Sequence, residues 1–158
     1  MGDTEQETVI YPFTAFNFSV EITKDGESKL LCAAAFSECD GLETTMDVKT
    51  IREGGNNGKQ IRFTGAFNYG QVTLKRGMTA NFDLWDWVEQ TLTNPALRAN
   101  AQIVMLGEDR KTERAGFVLS RCLPTKLKHP ALNAKDGMVA IEELQLTYES
   151  LRLNKPPK

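Results

Sequence analysis

Apolar positions along this chain recur mostly with a period of two. Phe16, Phe18, Val20 and Ile22 alternate with Asn17, Ser19, Glu21 and Thr23, the signature of a strand buried on one face. Asp25-Gly26 predicts a hairpin turn. The return run, 29–37, has Leu30, Cys32, Ala34 and Phe36 on one side and Leu31, Ala33 and Ala35 on the other, so both faces can be covered. Its alanines point to close approach of backbone or of subunits. A shorter alternating run, 44–51, leads into Arg52-Glu53-Gly54-Gly55-Asn56-Asn57-Gly58, a Gly/Asn cluster that predicts a loop. Residues 60–64 and 71–75 read as further strands, the second closed by Arg76-Gly77.

The period then changes. At 100° per residue, Phe82, Leu84, Trp85, Val88 and Leu92 fall on one side, with Asp83, Asp86 and Gln90 opposite, predicting an amphipathic helix over 81–92 packed through those five side chains. Asn81 is the expected N-cap, and Asp83 suits the positive end of the helix dipole. Asn94-Pro95 predicts the stop. Residues 101–106 and 115–123 read as a second hairpin, and a Pro-bounded loop, 124–137, leads to the last element, 138–151. There Val139 and Ile141 share one parity while Leu144, Leu146 and Tyr148 share the other, with Glu142-Glu143 between them. A β-bulge at the glutamates would return both sets to one face. A helix over 140–151 is the alternative, and the alternation of 144, 146 and 148 favours strand. The chain is therefore expected to be mainly β: an antiparallel β-sandwich or partly open barrel with one α-helix.

Composition narrows the class. A chain of 158 residues, 41% hydrophobic and 25% charged, has the size and make-up of one globular domain spanning 1–158. Nineteen Lys+Arg against 21 Asp+Glu leave −2, which argues against a surface that coats nucleic acid. No apolar run approaches the roughly 18 residues of a spanning helix, so no stable membrane insertion is expected. The start, Met1-Gly2-Asp3-Thr4-Glu5-Gln6-Glu7, is acidic where a signal peptide would be basic and then apolar. Synthesis in a cytoplasm, without a leader, is expected. Three cysteines without a close pair fit a reducing compartment.

Candidate chemistry changes little. Gly54-Gly55-Asn56-Asn57-Gly58-Lys59-Gln60 looks like a phosphate loop, but Glu53 and Gln60 stand where glycine and Ser/Thr are needed, and a strand follows rather than a helix. Cys32, Cys39, Cys122 and His129 form a formal zinc set whose two seven-residue separations match no short structural-zinc loop. Asp83 with Asp86 and Glu142 with Glu143 have structural explanations, and no nucleophile elbow is present. Trp85 belongs to the helix stripe and Trp87 borders it, so core or subunit contact outweighs a ligand platform. Neither catalysis nor a cofactor or metal is expected. Several strand edges remain, and a ring of repeated subunits is one way of pairing them.

One ordered set of segments is more specific. Phe16-Asn17-Phe18-Ser19-Val20-Glu21-Ile22, Phe36-Ser37-Glu38-Cys39-Asp40-Gly41-Leu42-Glu43, Ile51-Arg52-Glu53-Gly54-Gly55-Asn56, Val72-Thr73-Leu74-Lys75-Arg76-Gly77-Met78-Thr79 with Leu84-Trp85-Asp86-Trp87, Pro124-Thr125-Lys126, Pro130-Ala131-Leu132-Asn133-Ala134-Lys135 and Val139-Ala140-Ile141-Glu142-Glu143-Leu144-Gln145-Leu146 follow one another. Together they resemble the tail tube family of contractile phages and phage-derived contractile injection systems. Ile51 stands where that family favours an aromatic, and Leu127 where it favours tryptophan.

The resemblance implies hexameric rings whose strands form one continuous inner β-barrel around a lumen, stacked by extended loops into a tube. Implied partners are further copies of the chain, a contractile sheath outside, baseplate and tube-terminating proteins at the ends, and DNA or protein cargo inside. A baseplate tube initiator of the same machine is the nearest alternative; a small β-barrel binding carbohydrate or peptide is the alternative from another class. By this analogy residues 44–58 form a contact arm (Thr44, Met46, Val48, Ile51, Arg52, Glu53, Gly54, Gly55, Asn56, Asn57, Gly58), residues 1–12 a flexible or interface segment, and the helix faces the sheath. Lumen candidates are Asn17, Ser19 and Glu21, or Gln145, Thr147 and Glu149. The particle would be a phage tail or an injection device.

Overall fold

The computed structural model describes residue 12, residues 17–55 and residues 58–155. Phe16, Asn56, Asn57 and nearly all of the 1–12 segment lie outside the described residues, as do the side chains of Ala33 and Ala34. In chain order the elements are β1 (Phe18–Lys24), β2 (Leu30–Ala34), β3 (Glu38–Asp40), β4 (Thr44–Arg52), β5 (Gln60–Tyr69), β6 (Val72–Gly77), α1 (Asp83–Thr93), β7 (Ala99–Leu106), β8 (Glu113–Lys128), β9 (Ile141–Thr147) and β10 (Ser150–Asn154).

Two antiparallel sheets share the long strand β8. Its first half runs beside β7 and β10, with β1 and β2 beyond β7; its second half runs beside β9, with β6 and β3 beyond. β9 and β10 are one strand in register, since Leu123 faces Thr147 and Ser120 faces Ser150. Glu149 N–H bridges the gap by donating to the Ser120 carbonyl at 3.0 Å. β8 turns from one sheet to the other at Arg121, whose φ of 54° is the left-handed conformation and where the pairing with β7 slips between Ala99 and Ala101. Such a bulge bends a strand. Arg121 is held there by its N–H on Asn100 Oδ1 (3.3 Å) and by Nε on Glu149 Oε2 (2.9 Å). The loop expected over 124–137 thus begins only after Lys128, because Pro124 sits beside a register shift where a missing N–H is tolerated.

The core lies between the sheets. β6 and β9 alternate as half-buried strands should, sending Val72 and Leu74, and Leu144 and Leu146, inward against Val20, Ile22 and Leu119. Helix α1 packs on β2 and β8 and closes the remaining side with Leu84 and Trp87, the latter fully buried. The expected packing stripe is only partly the buried one. Leu84 is inside and Val88 half-buried, but Phe82, Trp85 and Leu92 are 55%, 43% and 77% exposed. The helix carries two apolar stripes, and Leu84, Trp87, Val88 and Thr91, at i, i+3, i+4 and i+7, are the one that faces the core. Asn81 caps one position early, its Oδ1 accepting the Asp83 N–H at 3.1 Å, while Phe82 occupies the N-cap position itself. The helix stops before Asn94-Pro95.

The bulge expected at Glu142-Glu143 is absent. β9 pairs β6 without interruption from Ile141 opposite Gly77 to Leu146 opposite Val72. Glu142 is instead a core position, 5% exposed and in phase with Leu144 and Leu146, and it is Val139 and Ile141 that face out. Opposite it stands Arg76, 4% exposed. The guanidinium binds the Glu142 carboxylate through Nε and Asp83 Oδ1 through Nη2 (2.7 Å), with the Asn81 carbonyl at 3.2 Å and the Phe36 ring beneath it. Burial alone would lower the pKa of Arg76, but Asp83 and Glu142 outweigh it and the net shift is upward.

Breaking a buried pair by removing one partner strands the other charge, a penalty of roughly 3–5 kcal/mol. Arg76→Met or Glu142→Leu should therefore each lower the denaturant midpoint sharply, and the double variant should recover part of the loss, the remainder reflecting Asp83 left without its cation. The buried thiols set an alkaline limit. Burial raises Cys122 to about 12 from an ordinary 9.0, so the folded state holds its proton where the unfolded state has lost it. That stabilisation is complete below pH 9 and fades as pH rises towards 12; a Cys122→Ala variant should lose less stability across that window in denaturant titrations.

Candidate assembly interface

Among the described residues β4 and β5 pair only with each other. Nine residues of β4 at about 3.3 Å each give a ribbon roughly 30 Å long, and every one of the nine is exposed. The arm expected over 44–58 is thus one half of a hairpin: Thr44, Met46, Val48, Ile51 and Arg52 lie on its outgoing strand, and Glu53, Gly54, Gly55 and Gly58 at its tip. The strand expected over 60–64 is the first half of the return strand β5, which runs on to Tyr69 and carries Phe63 and Phe67, 49% and 61% exposed.

Cross-strand pairing sorts the ribbon's apolar side chains. Met46 opposite Phe67, with Val48 beyond, share the face near the root, whereas Ile51 opposite Ile61 and Phe63 opposite Lys49 occupy the other face towards the tip. The change coincides with a register shift between Met46 and Val48. Gly65 is required there, since a Cβ would fall 2.2 Å from the Asp47 carbonyl oxygen. An isolated two-stranded ribbon is marginal in water, and one with apolar residues on both faces calls for a partner surface.

The root, by contrast, is tightly tied. Gly41 has φ +99°, and a Cβ there would lie 1.9 Å from the Gln71 carbonyl oxygen. The Tyr148 hydroxyl lies within donating reach of the Gly41 and Glu43 carbonyls (3.3 and 3.2 Å) and accepts the Glu43 N–H at 3.3 Å. Tyr69, the last residue of the ribbon, packs on the Tyr148 ring with centroids 5.7 Å apart.

The two candidate lumen sets fare differently. Ser19 and Glu21 lie on the outer face of the first sheet, and Gln145 and Thr147 on that of the second. Glu149 is exposed beside Arg121. Asn17 is not a surface residue: it is 9% exposed, and its side-chain amide donates to the Gly107 carbonyl at 3.1 Å, pinning the strand start to the β7–β8 turn. Leu132, Met138 and Val139 on the β8–β9 connection are also exposed apolar side chains, as are Ile141 and Met78, where Met78 N–H donates to the Ala140 carbonyl. Among the described residues no His, Cys, Asp or Glu cluster could hold a metal ion, and no helix is long and apolar enough to cross a membrane.

If the root holds the arm, Tyr148→Phe should cost about 1 kcal/mol, the worth of a buried hydrogen bond, and speed amide exchange in β4 more than in β9. Gly41→Ala has no room for its methyl group and should cost about 3 kcal/mol, read from thermal unfolding.

Comparison with known proteins places this geometry. Among solved structures, a chain of the anti-feeding prophage baseplate is similar at 26% identity and a TM-score of 0.81, covering 93% of this chain and 98% of that one. A chain of the sheath-tube complex of an extracellular contractile injection system, in its extended state, shares the fold at 21% identity and a TM-score of 0.79, covering 99% and 100%. A chain from the tube-terminating cap of the anti-feeding prophage does so at 20% identity and a TM-score of 0.81, again covering 99% and 100%. A search of the curated proteins finds no match. The description that matches residues 14–152 is that of the T4-like virus tail tube protein gp19, and the chain belongs to that family.

Proposed function

We propose that this chain is a structural subunit of the inner tube of a contractile injection system or phage tail, stacking as hexameric rings into a hollow conduit. The family match over residues 14–152 carries the reading. The exposed arm on its rigid root supports it, because a 30 Å ribbon with apolar residues on both faces fits a contact with a neighbouring copy (roughly 3.3 Å per residue). Phe82, Trp85 and Leu92, turned away from the core, suit contact with a sheath outside the tube. Baseplate and tube-terminating proteins would cap the ends, and DNA or protein would pass through the lumen. The subunit acts as a rigid wall and performs no chemistry. A second reading, a baseplate tube initiator, is favoured by the likeness to a chain of the anti-feeding prophage baseplate.

Electron microscopy of the purified protein should reveal rings or hollow tubes, whereas a strictly monomeric particle at every concentration rules the reading out. Deleting residues 54–58 should leave the monomer's melting temperature nearly unchanged and stop rings from stacking. Normal tube growth by that variant would remove the arm from the mechanism.

A further inference from the structure

An apolar groove of about 250 Å³ opens between the first sheet and β3. Phe18, Ile103, Met105 and Phe117 form its wall on the first sheet, and Cys39 and Leu42 line it on and just beyond β3. Ile103 is buried, whereas the other five are only half-buried. Phe18, Cys39, Leu42 and Phe117 nevertheless pack on the core, so the groove is a place where the core meets water. A group covering these side chains would remove their remaining apolar surface from solvent. Size limits what that group can be. A cavity of about 150 Å³ takes a benzene molecule, so this groove suits one phenyl ring and falls below the roughly 300 Å³ of an ordinary small-molecule site.

The chain itself supplies a ring. β1 runs one for one against β7 from Lys24 back to Phe18, and the pairing continues a step further, the Asn17 carbonyl accepting the Leu106 N–H at 2.9 Å. Asn17 is fastened a second time by its side-chain amide on the Gly107 carbonyl, 3.1 Å away. Val20 and Phe18 face inward on this strand, since they stand opposite Ile103 and Met105. The next inward position in that alternation is 16, two strand residues or about 7 Å beyond Phe18, and residue 16 is a phenylalanine.

We propose that Phe16, which lies outside the described residues, closes this groove, its ring filling the space between Phe18 and Met105 on one side and Cys39 and Leu42 on the other. The segment leading into β1 then seals the core of its own subunit. The occupant is the chain's own because its neighbour Asn17 is buried and pinned beside the groove, and a tethered side chain loses far less freedom on docking than a separate molecule does. The inference concerns the folded monomer and stands apart from the tube reading.

Two substitutions in the full chain test it. Phe16→Leu keeps an apolar side chain and removes the aromatic ring current. With methionine methyl groups labelled for NMR, it should shift the Met105 signal and leave those of Met46, Met78 and Met138 in place; an unmoved Met105 signal would overturn the proposal. Phe16→Ala empties the groove. Burial, with the charge of Asp40 adding to it, pushes the Cys39 thiol up to about 11, which keeps the wild-type thiol slow to react. In the Ala variant Cys39 should label with a maleimide roughly tenfold faster, because reaction no longer waits for a local opening. Cys32 and Cys122, buried elsewhere, should stay protected, and added benzene should slow the Cys39 reaction again. Unchanged Cys39 labelling in that variant overturns the proposal. So does wild-type labelling that benzene slows, which marks a groove open to free ligand, and so does protection lost on dilution, which makes the occupant a second copy. If Phe16→Ala fails to fold, all three thiols react together and the Phe16→Leu spectrum decides.

Discussion

A guanidinium enclosed by apolar side chains must be neutralised where it sits, and the position of Arg76 determines how several elements of this subunit meet. It lies on β6, binds Glu142 on β9 and Asp83 at the start of α1, and stands over Phe36 in the connection between β2 and β3. Desolvating these groups is costly unless each charge keeps its partner. The second sheet, the helix and the strand edge leading to β3 are therefore held in one relative arrangement. That arrangement turns Leu84 and Trp87 inward, and so leaves Phe82, Trp85 and Leu92 outside.

The subunit divides its tasks between a stiff body and a projecting ribbon. Tyr148 marks the boundary: its ring belongs to the core, while its hydroxyl fastens the backbone at Gly41 and Glu43, where the ribbon departs. Gly41 and Gly65 are both places where another backbone comes too close for any side chain, one at the root and one at the ribbon's bulge. The glycines at the tip meet nothing within 4 Å and have no such packing reason within a single chain.

Much of this was legible in the sequence, and the failures have physical causes. Local signals did well: the alternation of β1, the Asp25-Gly26 turn and the stop before Asn94-Pro95 all depend on neighbouring residues alone. Glu142 was misread because periodicity scores a carboxylate as a surface residue and cannot see Arg76, which is far away in sequence and directly opposite in the sheet. The helix was found but its faces were confused, since two apolar stripes on one wheel do not say which of them meets the core. The return strand of the ribbon is read only as far as residue 64, because Gly65 and the register shift beside it interrupt the alternation there.

The sharing of β8 between both sheets also governs how the subunit bears load. Tension or compression along that strand is not concentrated on one hydrogen bond at a time, as it is when a hairpin is peeled from its end. It is carried in shear by the pairings with β7, β9 and β10 together, on either side of the bend at Arg121. Backbone connectivity as well as side-chain packing therefore resists load along β8, so stiffness in the strand direction is a property of the topology.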